Sequence, residues 1–161
     1  MGLKHIKKGE GKALQIIDHV LVEKLNKKDT SESYGLGEIV VPVNAGPPLH
    51  SHAPQETFYV IDGNFTFYTM EGEAITKTEV SSGDVVHIPP ATIHTFKNTG
   101  QTEGKLLGIA SPTNLEEFFD SIGTPYEGKK LAAKKPGPWS LLKIGFLAKK
   151  YGVKFFNNKL E

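Results

Sequence analysis

The chain has 161 residues, enough for one domain with an ordinary hydrophobic core and too few for a second full one. Its formal net charge is +1 and all 19 basic residues are lysine, so no arginine can fork onto a guanine edge or a phosphate, and no nucleic-acid partner is expected. Cysteine is absent, which excludes disulfides, thiolate metal ligands and a cysteine nucleophile.

Residues 1–35 are expected to be an N-terminal segment covering the main fold. Within it, residues 14–25 read either as a short strand pair or as a covering strip. His5 and His19 lie here and are expected at the solvent surface. The opening stretch MGLKHIKKGEGKALQIIDHVLVEK has no continuous apolar run of signal-peptide type. Gly2 follows Met1, but the next residues lack the Ser or Thr of a myristoylation signal. No stretch is long enough to cross a bilayer, so no membrane partner is expected and a cytoplasmic location is the default reading. The Lys-Lys pairs starting at Lys7, Lys27, Lys129, Lys134 and Lys149 are dispersed, which is the pattern of a solvated surface.

From 36 to 111 the chain is a series of short β-rich runs separated by turn signals every eight to twelve residues, the spacing of a sandwich or barrel. The runs are LGEIVVPV, ETFYVI, NFTFYTM, EAITKTEV, DVVHIP, HTFKN and KLLGIAS, and a glycine stands at most of their junctions. In EAITKTEV, Ala74, Thr76, Thr78 and Val80 fall on one face and Glu73, Ile75, Lys77 and Glu79 on the other, which predicts a half-buried strand. Residues 112–161 change period. Thr113 and Glu116 have capping-box spacing, and Leu115, Phe118, Phe119 and Ile122 share a helical face that ends at Gly123, a candidate C-cap. A Pro-, Gly- and Lys-rich stretch over 124–138 reads as a loop. A second helix follows, from Pro138 to about Gly152. The whole segment is expected to be a helical extension packed on the β unit, giving one domain overall.

Two motifs carry chemistry. His50 and His52 are two apart, so on a strand both project to the same face. Glu56 lies four residues on, past a bend at Ala53-Pro54-Gln55, and the parity that places it toward those histidines also places Phe58 and Val60 there. His94, at the start of its own strand after Pro89-Pro90, is the best candidate for a third imidazole. Three neutral imidazoles and a carboxylate suit a divalent Fe, Mn, Ni, Co, Cu or Zn ion, with positions left for water or substrate. Phe58, Phe65, Phe67 and Phe96 are expected in the core, with Phe58 and Phe96 the candidates for lining a substrate pocket. His87 is expected at the surface or behind the site. Asn98, Gly63, Gly83 and Pro89 are expected to serve turns and backbone geometry.

These residues resemble the two motifs of the cupin family. His50, His52, Glu56 and Gly63 match the first motif's H-x-H, its x3 step to Glu and its x6 step to Gly. Gly83, Pro89, His94 and Asn98 match the second. Two positions depart from the pattern: Gly46 stands three residues before His50 instead of five, and Ala91 replaces the glycine of P-x-G. Both departures concern turns and neither touches a candidate ligand. The chain is similar to small single-domain cupins of the cupin-2 type, related to quercetin dioxygenase-like proteins. The resemblance implies an all-β double-stranded β-helix, or jelly-roll barrel, over 36–111. It also implies a divalent transition metal held inside by His50, His52, Glu56 and His94, and a homodimer. The expected function is an oxidoreductase of dioxygenase type on a small aromatic or enol-containing molecule, with Glu56 as ligand and, when it loosens, general base. The alternatives are a metal-dependent isomerase or lyase, and a non-enzymatic cupin that binds a small molecule.

Overall fold

The computed structural model describes residues 2–112, 115–128 and 138–157. Thr113, and with it the capping box, lies outside the described residues, as does most of the predicted loop over 124–138.

The alternating hydrophobic runs form strands that pack as two facing antiparallel sheets. In chain order the strands are β1 (Lys12–Ile16), β2 (His19–Leu25), β3 (Gly35–Val41), β4 (His50–Ser51), β5 (Gln55–Asp62), β6 (Asn64–Glu71), β7 (Ala74–Ser81), β8 (Val85–Ile88), β9 (Ile93–Asn98), β10 (Gly104–Ser111), β11 (Thr124–Pro125) and β12 (Lys154–Phe155). Helix α1 spans Leu115–Ile122 and α2 spans Pro138–Lys150. One sheet has the order β11-β1-β2-β3-β10-β5-β8, the other β12-β4-β9-β6-β7. Between β3 and β10 nearly every connection crosses from one sheet to the other, the exception being the β6–β7 hairpin. This is a jelly-roll barrel, all-β apart from short C-terminal helices.

The barrel closes on an aromatic core. Phe58, Phe65, Phe67 and Phe96 are all at most 5% exposed and pack with Val41, Val60, Ile88 and Leu106. Their rings meet at 5.4–6.2 Å between centroids in tilted or edge-to-face pairs, the arrangement aromatic quadrupoles favour. Asn98 is fully buried and acts on the backbone. Its Nδ2 donates to the carbonyls of Val41 and Thr102, and its Oδ1 accepts from the Gly100 N–H, which pairs groups that burial would otherwise orphan. Gly63 is the one residue between β5 and β6, at φ 97°, and a Cβ there would press on the Gly104 backbone at 3.0 Å. Only glycine satisfies both conditions.

Of the two readings left open for residues 14–25 the strand pair holds: residues 12–25 form the β1–β2 hairpin, whose second strand pairs with β3, so this segment extends the larger sheet. Several other elements differ from the sequence reading. The short strands β4, β11 and β12 carry no hydrophobic period of their own. β7 is an edge strand with only Ile75 and Val80 half-buried and every other side chain exposed, because among the described residues no strand pairs with its outer side. Gly123 is not in the left-handed region. It is required by packing, since a Cβ there would meet Ile16 Cδ1 and the Phe119 carbonyl at 2.8 Å. Gly152 does cap α2, with φ 72° and a Val153 N–H bond of 2.8 Å back to the Ala148 carbonyl.

Helices α1 and α2 pack on each other through Leu115, Phe118, Ala148 and Val153. β12 then returns the chain to the barrel beside β4, with Phe155 opposite His50. No helix among the described residues is long and apolar enough to cross a membrane.

The departure at Ala91 has an energetic consequence. Ala91 sits at φ 60°, and its N–H bonds to the His52 carbonyl at 2.9 Å. A left-handed conformation costs a residue with a Cβ about 1–2 kcal/mol, while Ala→Gly elsewhere costs about 0.4–1 kcal/mol through the unfolded chain. Ala91→Gly is therefore expected to raise stability by up to about 1.6 kcal/mol in urea unfolding. A clear loss of stability would contradict the strained geometry.

Candidate metal centre

The crossing between β4 and β5 builds the site. His50 ends up on the smaller sheet, paired with His94 of β9 across the ladder, while Glu56 lies on β5 of the larger sheet. His52-Ala53-Pro54 spans the gap, which is why three residues separate the second histidine from the glutamate. The Ala91–His52 backbone bond fixes the turn before β9 to the same crossing.

The four side chains converge. One ligand atom from each of His50, His52, Glu56 and His94 lies within 4.8 Å of every other. Each imidazole is oriented in the same way, with Nδ1 at 2.9 Å from a backbone carbonyl two residues away: Pro48 for His50, Pro54 for His52 and Thr92 for His94. A carbonyl can only accept, so Nδ1 carries the ring proton and Nε2 keeps its lone pair. The Nε2 atoms of His52 and His94 both lie 3.1 Å from Oε2 of Glu56. Lone pairs this close to a carboxylate oxygen repel unless a proton or a cation stands between them.

The donor set fits a divalent transition ion. Ligands about 2.1 Å from a common ion are about 3.0 Å apart when cis and about 4.2 Å apart when trans. The two 3.1 Å contacts match cis edges, and the 4.8 Å limit asks for a contraction of a few tenths of an ångström. Orientation of each ligating ring by an outer hydrogen bond is what metal-binding histidines require.

Electrostatics divides the cluster. Burial, then repulsion from His94, pushes His50 down to about 3, against a weaker pull from Glu56. In the metal-free protein a proton taken up at Nε2 of His52 or His94 lets that ring donate to Glu56, and these bonds hold the Glu56 pKa well below the carboxylate range although burial alone would raise it. For His52 burial opposes the charge, and the bond to and charge of Glu56 more than compensate, raising its pKa.

The site opens into an apolar cavity of about 70 Å³ walled by the four residues together with Phe58, Phe96, Pro47, Phe118, Phe119 and Phe155 among others. At about 10–15 Å³ per water, that is room for roughly five water-sized groups. A second cavity of about 80 Å³ adjoins it, sharing Glu56, Phe58 and Ile39 and reaching Glu23, Glu116 and Asp120. Phe58 and Phe96 thus belong both to the core and to the cavity wall, whereas Phe65 and Phe67 are in the core and do not line this cavity. His87 is exposed and contacts Thr57 at 3.0 Å, away from the cluster. His5 is exposed, as expected.

His19 corrects the sequence reading. It is 7% exposed and lines both cavities, because the hairpin that holds it joins the larger sheet. Phe155 and the residues of α1 were also missed as cavity wall. Their hydrophobic pattern announces burial but not what they bury against.

A model of the Cupin domain matches residues 37–110. The chain is 33% identical over 98 residues to a quercetin 2,3-dioxygenase of Bacillus subtilis, covering 57% of this chain and 28% of that protein. It is 36% identical over 83 residues to an uncharacterized protein of Methanocaldococcus jannaschii, covering 51% of this chain and 63% of that one. It therefore spans less than two thirds of the length of these curated relatives. Among solved structures, a predicted oxalate decarboxylase from Thermotoga maritima superposes with a TM-score of 0.60 at 18% identity, over 68% of this chain and 100% of that one. Jelly-roll barrel, inward histidine and glutamate cluster and sequence match agree on one class. Residues 37–110 match the Cupin domain and fold as a jelly-roll barrel, which supports a small cupin of the cupin-2 type.

The depressed His50 gives a test in metal-free protein. Between pH 6.5 and 4.5 the folded state leaves His50 unprotonated while the unfolded chain takes up the proton, so stability falls as pH falls. The raised pKa of His52 contributes stability that is complete below 6.5 and is lost only as pH rises, so it does not vary in this window. Glu56 begins to matter below 4.5. The thermal midpoint is expected to drop from pH 6.5 to 4.5, and His50→Asn is expected to flatten that drop. An unchanged slope in the variant would show that His50 is not the group responsible.

Proposed function

We propose that His50, His52 and His94, through Nε2, and Glu56, through its carboxylate, hold a divalent transition metal. We further propose that the protein is an oxidoreductase of dioxygenase type on a small aromatic or enol-containing molecule. The observation that carries the metal reading is the shared orientation of three imidazoles, each with Nδ1 spent on a carbonyl, converging with one carboxylate that lies 3.1 Å from Nε2 of both His52 and His94. The choice of chemistry draws support from the aromatic wall and from the likeness to a quercetin 2,3-dioxygenase.

A bound ion supplies Lewis acidity toward a coordinated hydroxyl or enol oxygen and lowers its pKa. The chain's own part is to receive and orient the substrate. Phe58 and Phe96 present ring faces and edges to a planar ligand, and the cavity limits that ligand to the size of a substituted ring near the cluster. Leu115, Phe118 and Phe119 of α1 close the apolar side and keep water from the reacting oxygen. The neutral His50 is ready to ligate at pH 7 without losing a proton.

Two measurements test this. Saturating metal, at about 100 times the dissociation constant, is expected to stabilise the protein by about 2.7 kcal/mol. His94→Ala is expected to abolish that gain, weakening affinity by more than the roughly 10- to 100-fold that an outer-shell loss costs. No metal-dependent stabilisation with Mn, Fe, Co, Ni, Cu or Zn would overturn the metal reading. Oxygen consumption with a panel of catechols, flavonols and enols is expected only in the loaded protein. Metal-dependent turnover without oxygen uptake would favour an isomerase or lyase. A tightly retained ligand with no turnover would favour a binding protein.

A further inference from the structure

Asp18 and His19 have no part in the metal reading, yet His19 lines the cavity and Asp18 holds its ring. Nδ1 of His19 lies 3.1 Å from Oδ1 of Asp18, and its ring meets Phe96 at 6.4 Å, close to edge-on. Asp18 is held in turn, since its Oδ2 accepts from the Gly46 N–H at 3.3 Å. A side chain at Gly46 would strike the Phe96 carbonyl, so this seat admits only glycine. The two-residue turn that presents the pair carries Ile17 at φ 58°, a costly conformation for a β-branched residue.

The Asp18 carboxylate accepts the Nδ1 proton, which leaves Nε2 as the basic nitrogen of the ring. Nε2 has no hydrogen bond to the described residues, and the ring walls both cavities. In the cavity containing the cluster, His19 is the one other titratable side chain in the wall among the described residues. The second cavity adds Glu23, Glu116 and Asp120, grouped with Leu25 and α1. Once the Nε2 atoms of His50, His52 and His94 are committed to an ion they cannot accept a proton, which leaves His19 as the one uncommitted imidazole in this wall among the described residues.

We infer that His19, oriented by Asp18, is the proton acceptor for a hydroxyl-bearing aromatic or enol ligand entering this cavity. The ligand's O–H bond breaks, an Nε2–H bond forms, and the electron pair stays on the ligand oxygen. The resulting imidazolium is stabilised by the Asp18 carboxylate, and no oxidant is consumed. Glu56 then serves the ion alone. This assignment rests on the metal-centre reading above.

Proton counting tests it without turnover. Catechol is titrated calorimetrically into zinc-loaded protein at pH 7 in two buffers of different ionisation enthalpy, which gives the protons released per ligand bound. Wild type is expected to release about one proton fewer than His19→Gln, because His19 keeps it. Asp18→Asn, which leaves the imidazole in place, is expected to shift the count in the same direction as His19→Gln, and it carries the test if His19→Gln does not fold. Equal counts in wild type and variant overturn the assignment, and so does failure of catechol to bind the zinc form. Absence of zinc binding by wild type instead overturns the metal-centre reading, and this inference with it.

Discussion

Three imidazole nitrogens and a carboxylate oxygen, drawn from two facing sheets, occupy a space a few ångströms across, and most of the surrounding structure serves that convergence. Lone pairs and a negative oxygen do not gather in a buried place without something to attract them. The backbone enforces it here. The β4–β5 crossing carries the chain from one sheet to the other within three residues, and the Ala91–His52 bond ties the turn before β9 to that crossing. The carbonyls of Pro48, Pro54 and Thr92 fix all three rings. The strained left-handed Ala91 is retained at this point, as strain tends to be retained near functional sites.

The remaining elements give the cluster a shaped, apolar approach. Phe58 and Phe96 connect core and cavity, so the barrel that provides stability also forms the floor of the pocket. The N-terminal hairpin, α1 and β12 close it from three directions, contributing His19, Phe119 and Phe155. The ion pairs that tie the N-terminal segment to α1, Lys12–Asp120 from the hairpin and Lys27–Glu117 from just after it, lie at the surface. Pairs so exposed are worth little, and apolar contact with α1 does most of the holding.

The barrel strands were legible because β-rich runs are separated by turn signals, most of them with a glycine, and their edges fall within a residue or two of the expected runs. The four candidate ligands were legible because both motifs repeat the family spacing, although His52 falls in the β4–β5 crossing and not on the strand that the two-residue spacing suggested. β4 and β12 were not, since two-residue strands have no period and exist only through their partners. His19 was misread for a related reason. Its burial depends on which sheet the hairpin joins, and that long-range pairing leaves no mark in residues 14–25 alone. Gly123 looked like a cap and is instead a point of close approach, a distinction that only packing against β1 reveals.

X-ray absorption at the metal edge of cobalt- or zinc-loaded protein tests the central claim most directly. The account predicts three imidazole nitrogens and at least one oxygen at about 2.0–2.2 Å, with one imidazole lost in His94→Ala. A shell of oxygen atoms alone, or a spectrum unchanged in that variant, would contradict it.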